Sequence, residues 1–178
     1  MRCLVIVDMQ PCFHAANNTT LIDNVINRVI EAKRAKMAIV VLEYCSNYPE
    51  IRVGRHTRMV IGQRKDRHTH KEIKRAIGNY PLAVRVLKAE DGGGRNVMEV
   101  CGKRGWDVNE FFVCGVNASA CVNDTTEELA ADSNAQITLL RESIHDGPRK
   151  EWIDRHVENL AAYCNARVVG DKLDCIPS

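Results

Sequence analysis

No two of the chain's eight cysteines form a Cys-x-x-Cys pair, so the spacing most often used for metal and redox sites is missing. Cys3, Cys101 and Cys114 sit inside apolar runs, where a thiol acts as a small buried hydrophobe. With no export signal in the sequence, a disulfide framework is not expected, and most cysteines read as inert thiols of a reducing cytoplasm. Long hydrophobic runs are missing too. None approaches the about 20 residues of a membrane-spanning helix. The N-terminal run stops at Asp8, so it reads as a strand rather than a signal peptide. Nor does one sign of charge dominate: 25 Lys and Arg face 23 Asp and Glu, a net charge of +2. That balance argues against a dedicated nucleic-acid or membrane-surface binder. No repeat, low-complexity tract or linker interrupts the 178 residues, which are expected to form one domain, 1–178.

What the chain does have is alternation. Short Val/Ile/Leu-rich runs at 2–8, 37–44, 82–88, 109–115, 136–141 and 166–170 read as strands covered on both faces. Between them lie segments of helical period. Thr20-Leu-Ile-Asp23 has the form of a capping box, followed by an apolar stripe from Leu21 to Ile30. A second helix should cover 95–104 and stop near Gly105, and a third should run from Ser119 through Leu129. Asp146-Gly-Pro148 should open a fourth, with Trp152, Ile153, His156, Val157, Leu160 and Ala161 on one side. Such alternation implies parallel βαβ units and a three-layer α/β fold. Residues 62–78 are crowded with Arg, Lys and His; they read as a solvated helix anchored by Ile73, Ala76 and Ile77, with a lid or an anionic-substrate patch as the other reading.

In open parallel sheets, ligands bind beyond the carboxyl ends of the strands. Asp8 closes the first strand, Lys88 closes the third, and Cys121 begins the helix after the fourth. An acid, a cation and a thiol at one sheet edge are the parts needed for acyl transfer from an amide. A helix N-terminus and a nearby Lys88 favour thiolate. Asp8 could take the thiol proton and return it to a leaving amine. Backbone N–H groups of the 116–121 turn could hold a developing oxyanion.

Three short motifs carry a resemblance. Asp8-Met-Gln10-Pro-Cys-Phe13, Lys88 after the third strand, and Gly115-Val-Asn-Ala-Ser-Ala-Cys121-Val122-Asn-Asp-Thr125 are similar, in order and spacing, to those of isochorismatase-like cysteine hydrolases, the family of nicotinamidase-related amidohydrolases. The resemblance implies a three-layer α/β/α fold with a six-stranded parallel sheet in order 3-2-1-4-5-6. It implies an Asp8-Lys88-Cys121 triad that hydrolyses a small amide, ureide or related C–N bond through a thioester. It further implies a cis Val116–Asn117 peptide, an oxyanion hole made of the Asn117 and Cys121 N–H groups, Phe13 against the substrate, and a homo-oligomer. The expected partner is a small-molecule substrate, without nucleic acid, membrane or cofactor.

The chain also departs from that pattern. Ala118 stands where relatives commonly have Thr, Ala-Glu-Asp-Gly-Gly-Gly (89–94) replaces a proline-containing wall after the lysine, and Arg-Glu-Ser (141–143) replaces Asp-Ala. The D-x-H metal motif of nicotinamidase-type members is missing after the second strand, so no metal is expected. Cys45, His56, His68 and His70 match no standard zinc spacing. Gly92-Gly93-Gly94 lacks the Walker lysine and the GxGxxG spacing, and reads as a flexible turn. A haloacid-dehalogenase-like phosphatase would need an acid at position 10, a receiver domain an Asp at position 88, and a dinucleotide-binding domain its glycines after the first strand; none is present. Two alternatives stay open: a catalytically silent small-molecule-binding or regulatory protein on the same fold, and an isochorismate-type vinyl-ether hydrolase.

Overall fold

A computed structural model describes residues 1–45, 67–147 and 150–170, and the backbone alone of 52, 53, 57 and 58. His56, residues 62–66 of the basic segment and Pro148 of the expected helix start lie outside the described residues.

Six strands form one parallel sheet: β1 (Arg2–Val7), β2 (Ala38–Tyr44), β5 (Ala83–Lys88), β6 (Glu110–Gly115), β7 (Gln136–Ile144) and β8 (Arg167–Val169). Their order is β5-β2-β1-β6-β7-β8, which is 3-2-1-4-5-6 counted along the chain. A two-residue antiparallel pair, β3 (Arg52–Val53) and β4 (Thr57–Arg58), stands apart from this sheet. Helices α1 (Thr19–Arg34), α2 (Lys71–Ile77), α3 (Gly94–Arg104), α4 (Asn123–Asp132) and α5 (Lys150–Tyr163) connect the strands. The inner strands β1, β2 and β6 are buried almost throughout, because helices cover both faces of the sheet. One core lies under α3, α4 and α5, and the other under α1 and α2. The edge strands differ. β5 alternates in burial and leaves Leu87 51% exposed, so an apolar run at a sheet edge is not covered as the run alone suggests.

Three local expectations are corrected. The cap of α1 is Asn18, whose side-chain oxygen accepts from the Leu21 N–H at 3.0 Å. A capping box at Thr20 would begin the helix two residues later. Asn18 wins because its extended backbone lets its own side chain reach the orphan donor. Along that helix, Leu21, Val25 and Val29 are buried while Ile30 is exposed. His68 and His70 lie before α2 rather than on it, although Ile73 and Ile77 do anchor that helix. Finally, Gly92-Gly93-Gly94 serves packing. A Cβ on Gly94 would sit 2.7 Å from the Thr125 carbonyl oxygen and 2.8 Å from the Leu129 nitrogen. Only glycine lets the start of α3 lie this close to α4.

Candidate active site

The site begins where β1 ends. Val7 pairs with Leu42 on one side and with Gly115 on the other, so the next residue, Asp8, emerges at the centre of the sheet edge. Its φ of 48° turns the chain off the strand, a left-handed conformation that Asp tolerates better than most side chains. The neighbouring strand must stay close. Gly115 has a φ of 120°, and a Cβ there would meet the Val7 carbonyl oxygen at 2.0 Å.

Lys88 ends β5, in register with Tyr44 of β2. Its side chain crosses the end of β2 and places Nζ 2.8 Å from Asp8 Oδ2, with both side chains almost fully buried. The ammonium also donates to the main-chain oxygens of Glu90 at 2.9 Å and Asp91 at 2.7 Å. The lysine charge is therefore spent locally, on one carboxylate and on the loop that follows its own strand.

Cys121 lies in a five-residue π-helical turn, Ala118–Val122, that runs directly into α4. This turn follows the Val116–Asn117 peptide, which is cis, as the resemblance implies. It is fastened from several sides. The Ala118 N–H donates to the His145 oxygen at 3.1 Å, and the Ser119 N–H donates to Asp146 Oδ2 at 2.7 Å. Asn117 O accepts from Ala120 and Val122. Asn117 and Cys121, the two expected oxyanion donors, thus belong to one rigid turn.

The expectation of a resting thiolate does not hold. The Cys121 thiol is pushed up to about 12, first by burial and then by the adjacent Asp8 charge; Lys88 pulls it down and Asp91 adds to the rise. The thiol is 3% exposed and a whole turn precedes α4, so the helix-terminus effect, about 0.3–1 kcal/mol where exposed, is overridden. Burial also pushes the Asp8 carboxyl up from its ordinary value, while Lys88, the thiol and the Tyr44 N–H pull it back. Both shifts place a proton between Asp8 and Cys121, held by sulfur at rest and within reach of a carboxylate made more basic by its surroundings.

Three further residues belong to this edge. Gln10 is fully buried; its amide donates to the Tyr44 and Arg67 oxygens, and its oxygen accepts from the Tyr44 N–H at 2.7 Å. It ties the segment after β1 to the end of β2. The Tyr44 ring lies 5.3 Å from Lys88 Nζ and meets Phe13 edge-on, with centroids 6.2 Å apart. Phe13 is therefore next to the triad by way of Tyr44. Asp91 Oδ1 lies 3.9 Å from Cys121 Sγ. The sequence marks Gln10 only as a motif letter, and nothing in periodicity singles out Tyr44 or Asp91.

Of the residues suggested on paper for zinc, His56 lies outside the described residues and His68 is engaged by a carboxylate. His68 Nδ1 lies 3.2 Å from Glu43 Oε2, and that buried carboxylate also takes the Thr69 N–H, the Thr69 hydroxyl and Arg85. Among the described residues no three His, Cys, Asp or Glu side chains converge as metal ligands. No described helix is long and apolar enough to cross a membrane.

No protein-family model and no curated protein sequence matches the chain. Solved structures do. A nicotinamidase from Staphylococcus aureus superposes with a TM-score of 0.71 at 18% identity, over 94% of this chain and 96% of its own. N-carbamoylsarcosine amidase from Thermoplasma acidophilum does so with a TM-score of 0.71 at 19% identity, over 99% of each chain. An isochorismatase-like hydrolase from Alkaliphilus metalliredigens gives 0.70 at 14%, over 95% of this chain and 91% of its own. At such identity it is the fold that is shared. The chain has the isochorismatase-like fold.

Proposed function

We propose that the protein is a cysteine-dependent hydrolase of a small amide, ureide or related C–N bond. One observation carries this reading: Lys88 Nζ stands 2.8 Å from Asp8 Oδ2, and the Cys121 thiol lies against the same carboxylate strongly enough for each to shift the other. Two of the solved structures that share the fold bear the names of amide-cleaving enzymes.

In this reading Sγ of Cys121 attacks the substrate carbonyl as its proton passes to Asp8. The carbonyl oxygen becomes an oxyanion, held by the N–H groups of Asn117 and Cys121. As the tetrahedral adduct collapses, the C–N bond breaks and the proton on Asp8 goes to the leaving nitrogen. Water then adds to the thioester and gives its proton to Asp8. The acid is released and the proton returns to sulfur. Lys88 keeps Asp8 ionised despite burial, so that the carboxylate starts each half-reaction as a base. Gln10 and Tyr44 are positioning residues for the lysine, and Phe13 lines the approach.

The test is a screen of small amides and ureides for ammonia or amine release, with Cys121→Ala alongside. Hydrolysis by the wild type, loss in the variant and an acyl adduct on Cys121 by mass spectrometry support the reading. Turnover retained in Cys121→Ala removes the nucleophile from it. Ligand binding without hydrolysis would favour a silent binding protein.

A further inference from the structure

Two carboxylates face the Cys121 sulfur, and the proposed chemistry uses only one. Asp91 belongs to the 89–93 loop between β5 and α3; its residue is exposed, while its Oδ1 lies 3.9 Å from Sγ. Three features make this carboxylate more than a passing surface charge. The loop is held from below, because Lys88 donates to the Glu90 and Asp91 main-chain oxygens. It is held from beyond by the close packing of Gly93 on Leu42 and of Gly94 on α4. And among the described residues no Lys, Arg or His forms a salt bridge with the Asp91 side chain. Lys88, the cation close by, is paired with Asp8. Asp8, Lys88 and Asp91 around a neutral thiol leave one negative charge among these three side chains, at the exposed Asp91.

We infer that Asp91 is a specificity-determining residue, which makes the Cys121 site select small molecules bearing a positively charged nitrogen group: an ammonium, amidinium or guanidinium close to the reacting carbon. The inference rests on the proposed hydrolase reading for its meaning in turnover, but the selection itself is a property of the site. A cation arriving beside Sγ comes within a few ångströms of the carboxylate, close enough for opposite charges to attract at a partly solvated site. A carboxylate-bearing substrate meets repulsion at the same point. Because Asp91 is exposed, it can exchange its hydration for the ligand without leaving a buried charge behind when the site is empty.

Charged thiol reagents test this without a known substrate. Aminoethyl methanethiosulfonate (cationic) and sulfonatoethyl methanethiosulfonate (anionic) both transfer a thioalkyl group to the Cys121 sulfur and release methanesulfinate. Rates at Cys121 are read by peptide mass spectrometry, with Cys164 as an internal reference. The wild type should prefer the cationic reagent, and Asp91→Asn should cut the cation-to-anion rate ratio at Cys121 about tenfold, leaving the Cys164 ratio alone. Asp91→Lys should invert the preference. The ratio cancels any change in thiol acidity, which affects both reagents alike. A Cys121 ratio unchanged within twofold in both variants overturns the inference. The amide screen separates this from the hydrolase reading: a shifted ratio with no amide cleaved upholds charge selection and removes the enzyme, whereas cleavage with an unshifted ratio does the reverse.

Discussion

Asp8 and Asp91 are the same side chain placed beside the same sulfur, and their surroundings give them different work. Asp8 stands at the end of an inner strand, fully buried, and its oxygens face Lys88 and the thiol. Asp91 stands on a loop beyond an edge strand, exposed, with its Oδ1 3.9 Å from the sulfur. Burial raises the proton affinity of the first and binds it to a fixed partner, which suits a proton carrier. Exposure leaves the second open to meet a ligand. What a carboxylate can do is set by the strand or loop that delivers it.

The sharpest way to break this division of labour is at the sulfur. Cys121→Ala should lower hydrolysis by a factor on the order of 10⁴ or more, with an unchanged circular dichroism spectrum; a smaller loss would mean neither carboxylate serves a nucleophile there. Next comes the proton carrier. Asp8→Asn should cost about 10²–10⁴ in kcat/KM, and the wild-type profile should fall on the acid side as Asp8 becomes protonated, above the ordinary Asp value of about 3.9. Asp91→Asn should leave that acid limb where it is. An equal shift in both variants would erase the distinction between them.

Lys88→Met addresses the partner of Asp8. Removing one member of a buried pair costs about 3–5 kcal/mol, and the loss should depend on pH. Lys88 pulls the Asp8 carboxyl down, so without it the folded-state value rises further above the unfolded one. A group raised in the folded state contributes its stability at low pH and loses it as pH rises through the folded value. Urea midpoints of the variant should therefore approach those of wild type as the solution is acidified and diverge toward neutrality. A pH-independent deficit would place Lys88 in packing alone. The smallest effect concerns the loop. Gly94→Ala forces α3 off α4 and should destabilise by about 1–3 kcal/mol while reducing the cation preference at Cys121. Gly102→Ala, in the same helix with nothing within 4 Å of the added carbon, should stabilise by about 0.5–1 kcal/mol and leave the preference intact.

The same contrast explains what the sequence discloses. Inner strands announce themselves because burial on both faces demands an unbroken apolar run, as in Leu4–Val7; their ends then name Asp8, since a charge there needs a reason. Lys88 and Cys121 follow from strand-end placement. Asp91 is silent because its role depends on how closely two helices pack and on where a lysine side chain points, neither of which has a periodicity. The protonation state of Cys121 is silent for a related reason. A helix start and a nearby cation, both readable, favour thiolate, while burial and Asp91, visible only in three dimensions, join Asp8 in outweighing them.

That reversal leads to the most direct measurement. The central claim is that Asp8 and Cys121 share one proton, with sulfur holding it at rest. Alkylation of Cys121 by iodoacetamide, followed across pH by mass spectrometry in the wild type and in Asp8→Asn, reads that proton. The account predicts a wild-type midpoint far above the ordinary thiol value of about 8.5. It predicts a lower midpoint, and faster alkylation at neutral pH, in Asp8→Asn, even though that variant should hydrolyse amides more slowly. Superimposable profiles with midpoints near the ordinary value would contradict it.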